Sequence, residues 1–172
     1  MPLRRELLAK YKKDIDIFIE TGTLFGDGID CALDCGFTYI HSTEISKNLY
    51  DKVSRKYNSQ HIHLYNGDSP VILNNILKYL NWKCLFWLDA HYSGGQTSMS
   101  DKKCPILDEL NEIKKHPIKE HTILIDDVRL FGTEAHDFIE IEEITDLILS
   151  INPNYKFIYE NDILIAEVKN DN

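Results

Sequence analysis

The sequence predicts an α/β fold: a doubly wound, mostly parallel sheet that closes with a C-terminal antiparallel hairpin. Three observations predict it. Apolar runs of strand length alternate with helical patterns from one end of the chain to the other, the connections are short, and the last two strand-like runs flank an Asn161-Asp162 turn. Strand–helix alternation with short links gives parallel strands covered by helices on both faces. Two runs joined by a tight turn add an antiparallel strand.

Taken in order, residues 15–19 read as a strand, followed by a glycine loop and a helix over 27–35. Residues 38–44 form a second strand, and 46–57 a helix with Ser46 as candidate N-cap. A third strand over 61–65 leads to a helix over 69–80, and 83–88 is a compact apolar strand. The polar stretch 92–103 carries two glycines and is long for a link inside a compact domain, so it reads as a mobile substrate loop. A helix over 106–115 and a fifth strand over 121–125 follow. An amphipathic helix over 138–151 precedes the hairpin strands, 156–159 and 163–168. Glu140, Glu142 and Glu143 fall on its solvated face. No internal repeat or linker interrupts the pattern, so residues 1–172 are expected to form one domain.

The composition restricts the function. With 43% hydrophobic and 27% charged residues the chain is ordinary globular material, and no apolar run reaches the roughly 20 residues of a membrane span. A formal charge of −9 argues against nucleic acid as main partner, since phosphate binding needs a basic face. The charged first 13 residues lack the apolar core of a secretion signal. Cys31, Cys35, Cys84 and Cys104 do not complete a zinc pattern and read as reduced thiols. A cytoplasmic location is therefore expected. His61 and His63 share a strand face without a trustworthy ligand spacing.

The first strand runs into Glu20-Thr21-Gly22-Thr23-Leu24-Phe25-Gly26-Asp27-Gly28. Ligands of doubly wound sheets sit at the carboxyl ends of strands, where glycines admit close backbone approach. The spacing is Gly-x-x-x-Gly-x-Gly, not the dinucleotide fingerprint. Carboxylates at Glu20 and Asp27 would repel a pyrophosphate but suit a cation. S-adenosylmethionine (SAM) carries both an ammonium and a sulfonium. Glu44, ending the second strand, is placed to accept hydrogen bonds from both ribose hydroxyls, as it would for NAD also. Asp68, followed by Ser69, either meets the adenine amino group or caps the next helix.

These residues carry a resemblance. Ile19-Glu20-Thr21-Gly22-Thr23 with Gly26 looks like the first motif of class I SAM-dependent methyltransferases, closest to the form in metal-dependent O-methyltransferases. The resemblance covers nearly the whole chain and implies a Rossmann-like methyltransferase fold. It implies a SAM site at Glu20, Thr21, Gly22, Thr23, Gly26, Glu44, Asp68 and Ser69. The helices that cap the substrate site in that family are reduced here to residues 2–13, leaving the site open or completed by another subunit of a homo-oligomer.

Two more strands end in acids. Asp89, Asp126 and Asp127 would make a hard oxygen site suited to Mg²⁺. Capping, or an ion pair from Asp126 or Asp127 to Arg129, is the other account of the Asp-Asp pair. The arrangement is similar to the macrolide sugar O-methyltransferases and the cephalosporin-hydroxylase-like proteins, and that similarity implies Asp89, Asp126 and Asp127 as metal ligands. His91 stands where the sugar enzymes tend to have an acid. It is the candidate catalytic base beside Asp89, or else a hydrogen-bonded loop histidine. The expected function is O-methylation of a small hydroxylated acceptor assisted by Mg²⁺. A SAM-fold binding protein without activity and an NAD-dependent enzyme are the alternatives.

Overall fold

The computed structural model describes residues 3–89 and 103–168. Helix α1 (Arg5–Lys12) precedes β1 (Ile17–Thr21), α2 (Asp27–Asp34) and β2 (Tyr39–Glu44). Then come α3 (Lys47–Val53), β3 (Ile62–Asn66), α4 (Ser69–Leu77) and β4 (Cys84–Leu88). After residue 102 the chain continues with α5 (Ile106–Lys115), β5 (Thr122–Ile125), α6 (Ile141–Ile151), β6 (Tyr155–Glu160) and β7 (Ile163–Val168). Two short 3-10 turns, Val128–Leu130 and Glu134–His136, lie between β5 and α6. The sheet order is β3-β2-β1-β4-β5-β7-β6, with β7 antiparallel to β5 and β6 and the rest parallel. This is the doubly wound sheet with a terminal antiparallel hairpin that the sequence predicts. Asn161 and Asp162 both have positive φ, 52° and 66°, as a primed hairpin turn requires.

The two-residue period of each strand divides the core. Ile17, Ile19, Phe86, Leu88, Ile123 and Ile125 face α4, α5 and α6. Phe18, Leu85, Trp87 and Leu124 face the opposite way, toward α1 and α2. The central strands are buried on both faces, so they read as continuous apolar runs. Among the described residues no helix is long and apolar enough to cross a membrane.

The boundaries differ from expectation in places that matter. β1 starts and ends two residues later than its apolar run. Lys13 has φ 45°, and the Ile15 amide donates back to the Lys12 carbonyl, so Ile15 still belongs to a turn. Glu20 and Thr21 are consequently strand residues paired with Ser42 and Thr43. Helix α3 stops at Val53, leaving Lys56 and Tyr57 outside it. Helix α6 begins at Ile141 rather than 138, because Asp137 and Phe138 take left-handed backbone. Glu140, expected on the solvated face, is its N-cap, and the Glu143 carboxylate accepts the Glu140 amide at 3.0 Å.

Candidate functional site

The five parallel strands end at one edge, and the hydrogen-bond ladder continues past them. The Asp126 amide donates to the Leu88 carbonyl, Asp89 to Thr21, Gly22 and Thr23 to Thr43, and Gly67 to Glu44. Each link places the residue after one strand beside the end of its neighbour. The acids predicted for the cofactor and the metal are therefore brought to one edge. Glu20, Glu44, Asp126 and Asp127 are all buried there, and Asp89 is half-buried.

Glu20 follows the parity of Phe18 and so turns toward α2. Only 2% of it is exposed, so it is not a solvated turn carboxylate. Ser42 donates to its Oε2 at 2.6 Å, and the Thr23 hydroxyl lies 2.6 Å from Ser42. Burial pushes Glu20 up to about 8, opposed by Ser42 and reinforced by the charges of Asp89, Glu44 and Asp27. Gly28 must be a glycine: a Cβ there would stand 1.7 Å from Glu20 Oε1, against a carboxylate already enclosed. Gly28→Ala is expected to lower stability by about 1–3 kcal/mol through overpacking and to displace Glu20. Urea unfolding checks the first effect, and a lowered affinity for any ligand of Glu20 the second.

Glu44 is held by backbone amides. Leu24 donates to its Oε2 at 2.9 Å and Ser46 to its Oε1 at 2.7 Å. Burial still raises its pKa, despite those donors. Both oxygens keep a lone pair for a further donor. Ser46 and Asp68 occupy the N-cap positions of α3 and α4, each without a side-chain capping bond. The Ser69 hydroxyl donates to Glu109 Oε1. Thr21 follows Ile19 to the α5 face, where its Oγ1 accepts the Asp89 amide at 3.3 Å.

Asp89, Asp126 and Asp127 form the one cluster of metal-ligating groups among the described residues. One oxygen from each lies within 4.8 Å of the others. A hard cation held at about 2.1 Å sets its oxygen ligands roughly 3–4 Å apart, so a small inward rotation would close this set on Mg²⁺. Asp126 is pushed up to about 6, chiefly by burial and then by the Asp89 charge, which is the repulsion a cation would offset. Asp127 reaches the cluster through left-handed backbone, φ 55°. Arg129 Nη1 donates to its Oδ1 at 2.5 Å and also to Asp162, whose Oδ1 accepts the Arg129 amide at 2.8 Å. The ion-pair account of the Asp-Asp turn thus holds for Asp127, beside a geometry that fits a metal.

Sequence reasoning missed two contributors. Glu109 is buried on α5 and lines a pocket together with Asp89, Asp126 and His136. Burial pushes Glu109 up to about 7. Its signal was present: a carboxylate in the apolar stripe of Ile106, Leu110 and Ile113. Asp162 had no such signal, because it reaches Arg129 from 33 residues away. His91 and the loop residues 92–102 lie outside the described residues. All four cysteines are free, and His63 stacks on His41 at 4.9 Å in an aromatic edge cluster.

No protein-family model matches the chain, and no curated protein matches it in sequence. Solved structures do match. An O-methyltransferase from Bacillus cereus in complex with S-adenosylhomocysteine (SAH) superposes with TM-score 0.66 over 96% of this chain and 78% of its own, at 14% identity. The chain has the SAM-dependent methyltransferase fold. The SAH-bound methyltransferase PaMTH1 of Podospora anserina gives TM-score 0.62 over 96% and 78%, at 13% identity. The O-methyltransferase TomG of Streptomyces achromogenes, involved in tomaymycin synthesis and complexed with SAM, gives 0.59 over 96% and 79%, at 12% identity. Identities this low speak for the fold.

Proposed function

We propose that this chain is a SAM-dependent methyltransferase that methylates a hydroxyl of a small, sugar-like acceptor with the help of Mg²⁺. The observation that carries it is the row of acids along one carboxyl edge, Glu20 and Glu44 at the glycine loop and Asp89, Asp126 and Asp127 beside them. The first pair suits the cationic sulfonium and ammonium of SAM and its ribose. The second group suits a hard cation. The solved structures that share the fold are described with SAM or SAH, which supports the same ligand here.

Methyl transfer is an in-line displacement: a C–O bond forms as the C–S⁺ bond breaks, and the hydroxyl proton passes to a base. Bound Mg²⁺ would lower the pKa of the acceptor hydroxyl. Asp89, Asp126 and Asp127 would hold it, and His91 is the proposed base. A SAM-fold binding protein is the competing reading. The Arg129–Asp127 ion pair favours it, since it gives Asp127 a cation already.

Calorimetric titration with SAH, with and without Mg²⁺ and with NAD as control, tests the proposal. Saturable SAH binding with none of NAD is expected. No SAH binding in either condition sinks the methyltransferase reading. Asp127→Ala is expected to lose Mg²⁺ affinity and Mg²⁺-dependent transfer while keeping SAH affinity. Loss of both affinities together would make Asp127 structural.

A further inference from the structure

The glycine loop is gripped by two consecutive side chains from beyond α3. Lys56 Nζ donates to the Phe25 carbonyl at 2.6 Å. The Tyr57 hydroxyl lies 3.0 Å from the Gly26 carbonyl oxygen and 2.8 Å from Asp30 Oδ1, sharing its one proton between them. Gly26 is shaped for this contact. Its φ is 90°, and a Cβ would stand 2.7 Å from the Tyr57 hydroxyl. Thr43 and Glu44 in turn take the amides of Gly22, Thr23 and Leu24. The loop is thus stretched between two elements. The amides of Gly22, Thr23 and Leu24 go to β2, the Gly26 amide closes the loop on the Thr23 carbonyl, and the Phe25 and Gly26 carbonyls meet the segment after α3.

This matters because Leu24 sits between the two grips in left-handed backbone, φ 47°, which a leucine adopts only when its surroundings impose it. That conformation aims the Leu24 amide at Glu44 Oε2. Releasing Phe25 and Gly26 lets Leu24 relax toward ordinary backbone and withdraws a donor from Glu44.

We infer that Lys56 and Tyr57 are positioning residues that hold the glycine loop in the shape that receives the adenosine portion of the cofactor. Neither needs to touch the ligand. The inference rests on the proposed SAM site for its effect on affinity, but the restraint on the loop exists without any ligand.

The test uses the full chain, SAH as probe, and hydrogen exchange of the loop amides. In the ligand-free protein, Lys56→Met and Tyr57→Phe are expected to speed exchange at Leu24 and Gly26. Each is expected to weaken SAH by about 3- to 10-fold, the effect of one hydrogen bond, with Mg²⁺ affinity changed less than about twofold. Lys56→Arg, which can still donate to Phe25, is expected to restore both readouts. Unchanged loop exchange with SAH affinity within about twofold of wild type overturns the inference. So does a parallel loss of SAH affinity, Mg²⁺ affinity and thermal midpoint, which a general folding defect would give. If the wild-type chain binds no SAH, the proposed function fails while exchange alone decides the clamp. Faster Leu24 and Gly26 exchange upholds it, and unchanged exchange overturns it.

Discussion

Glu20→Gln is expected to stabilise the ligand-free protein at pH 8 and to weaken SAM or SAH. The carboxyl is enclosed by Gly28 and Ser42, and burial raises it from 4.5 to about 8. A group whose folded pKa lies above its unfolded one contributes its full stability below the unfolded value. That stability is lost as pH rises through the folded value. Glu20 therefore costs nothing near pH 4.5 and most near pH 8. A pKa raised by one corresponds to about 1.4 kcal/mol, so the upper bound is of order 5 kcal/mol, reduced by relaxation and water entry. Glutamine has the same shape, can still accept from Ser42 and never ionises. Urea unfolding should give equal stabilities for wild type and variant near pH 4.5 and a gap of a few kcal/mol near pH 8. A gap of equal size at both pH values would refute ionisation as its cause. The functional side runs the other way. A carboxylate bonded to a cation contributes more than an amide, so SAH affinity should fall about 10- to 100-fold. Holding an acid in a place hostile to its charge is a stability cost with a purpose only if a cation is coming.

The strands were legible because burial on two faces demands continuous apolar runs, and the helices because burial on one face demands a stripe. Strand ends were less so. The run 15–19 predicts β1 too early, since hydropathy ends where Glu20 begins, whereas pairing with β2 and β4 carries the strand on to Thr21. Hydropathy cannot see a partner. For the site, acids after apolar strands were a readable signal, because a parallel sheet brings such ends to one edge. The contacts that shape those acids were not. Tyr57 meets Gly26 from 31 residues away, Ser69 meets Glu109 from 40, and Arg129 meets Asp162 from 33. None leaves a local pattern. The start of α6 failed for another reason: Asp137 and Phe138 are ordinary helix-compatible residues held in left-handed backbone by the fold around them.

Acid is expected to unfold the protein through His121, at the opposite end of the sheet from the site. The His121 ring is a relay of neutral groups. The Cys84 amide donates to its Nδ1 at 3.0 Å, so its Nε2 carries the proton and donates to His116 Nδ1 at 3.0 Å. His116 Nε2 in turn donates to the Leu80 carbonyl at 2.8 Å. A second proton on His121 would replace an acceptor with a donor facing an N–H. Burial above all, then His116, Lys83 and Lys119, lowers it from 6.5 to about 3. The sign is opposite to that of Glu20. The stability is fully present above pH 6.5 and is lost as pH falls toward 3, by about 1.4 kcal/mol per pH unit. His41, lowered to about 4 by burial and by His63, adds a similar slope between 6.5 and 4. From 4.5 to 6.5 these slopes are opposed by those of Glu20 and Glu109, both raised from 4.5, and by those of Asp126 and Glu44, so stability there should decline gently as pH rises. Below about pH 4 the histidine slope acts without that opposition, and above 6.5 the carboxylates do. His121→Gln retains an acceptor for the Cys84 amide and removes the titration, so its unfolding free energy should fall less steeply than wild type below pH 4.5. The high-pH limb should keep its slope, and Glu20→Gln should flatten that limb alone. Parallel profiles for His121→Gln and wild type below pH 4.5 would show that the relay does not govern the acid limb.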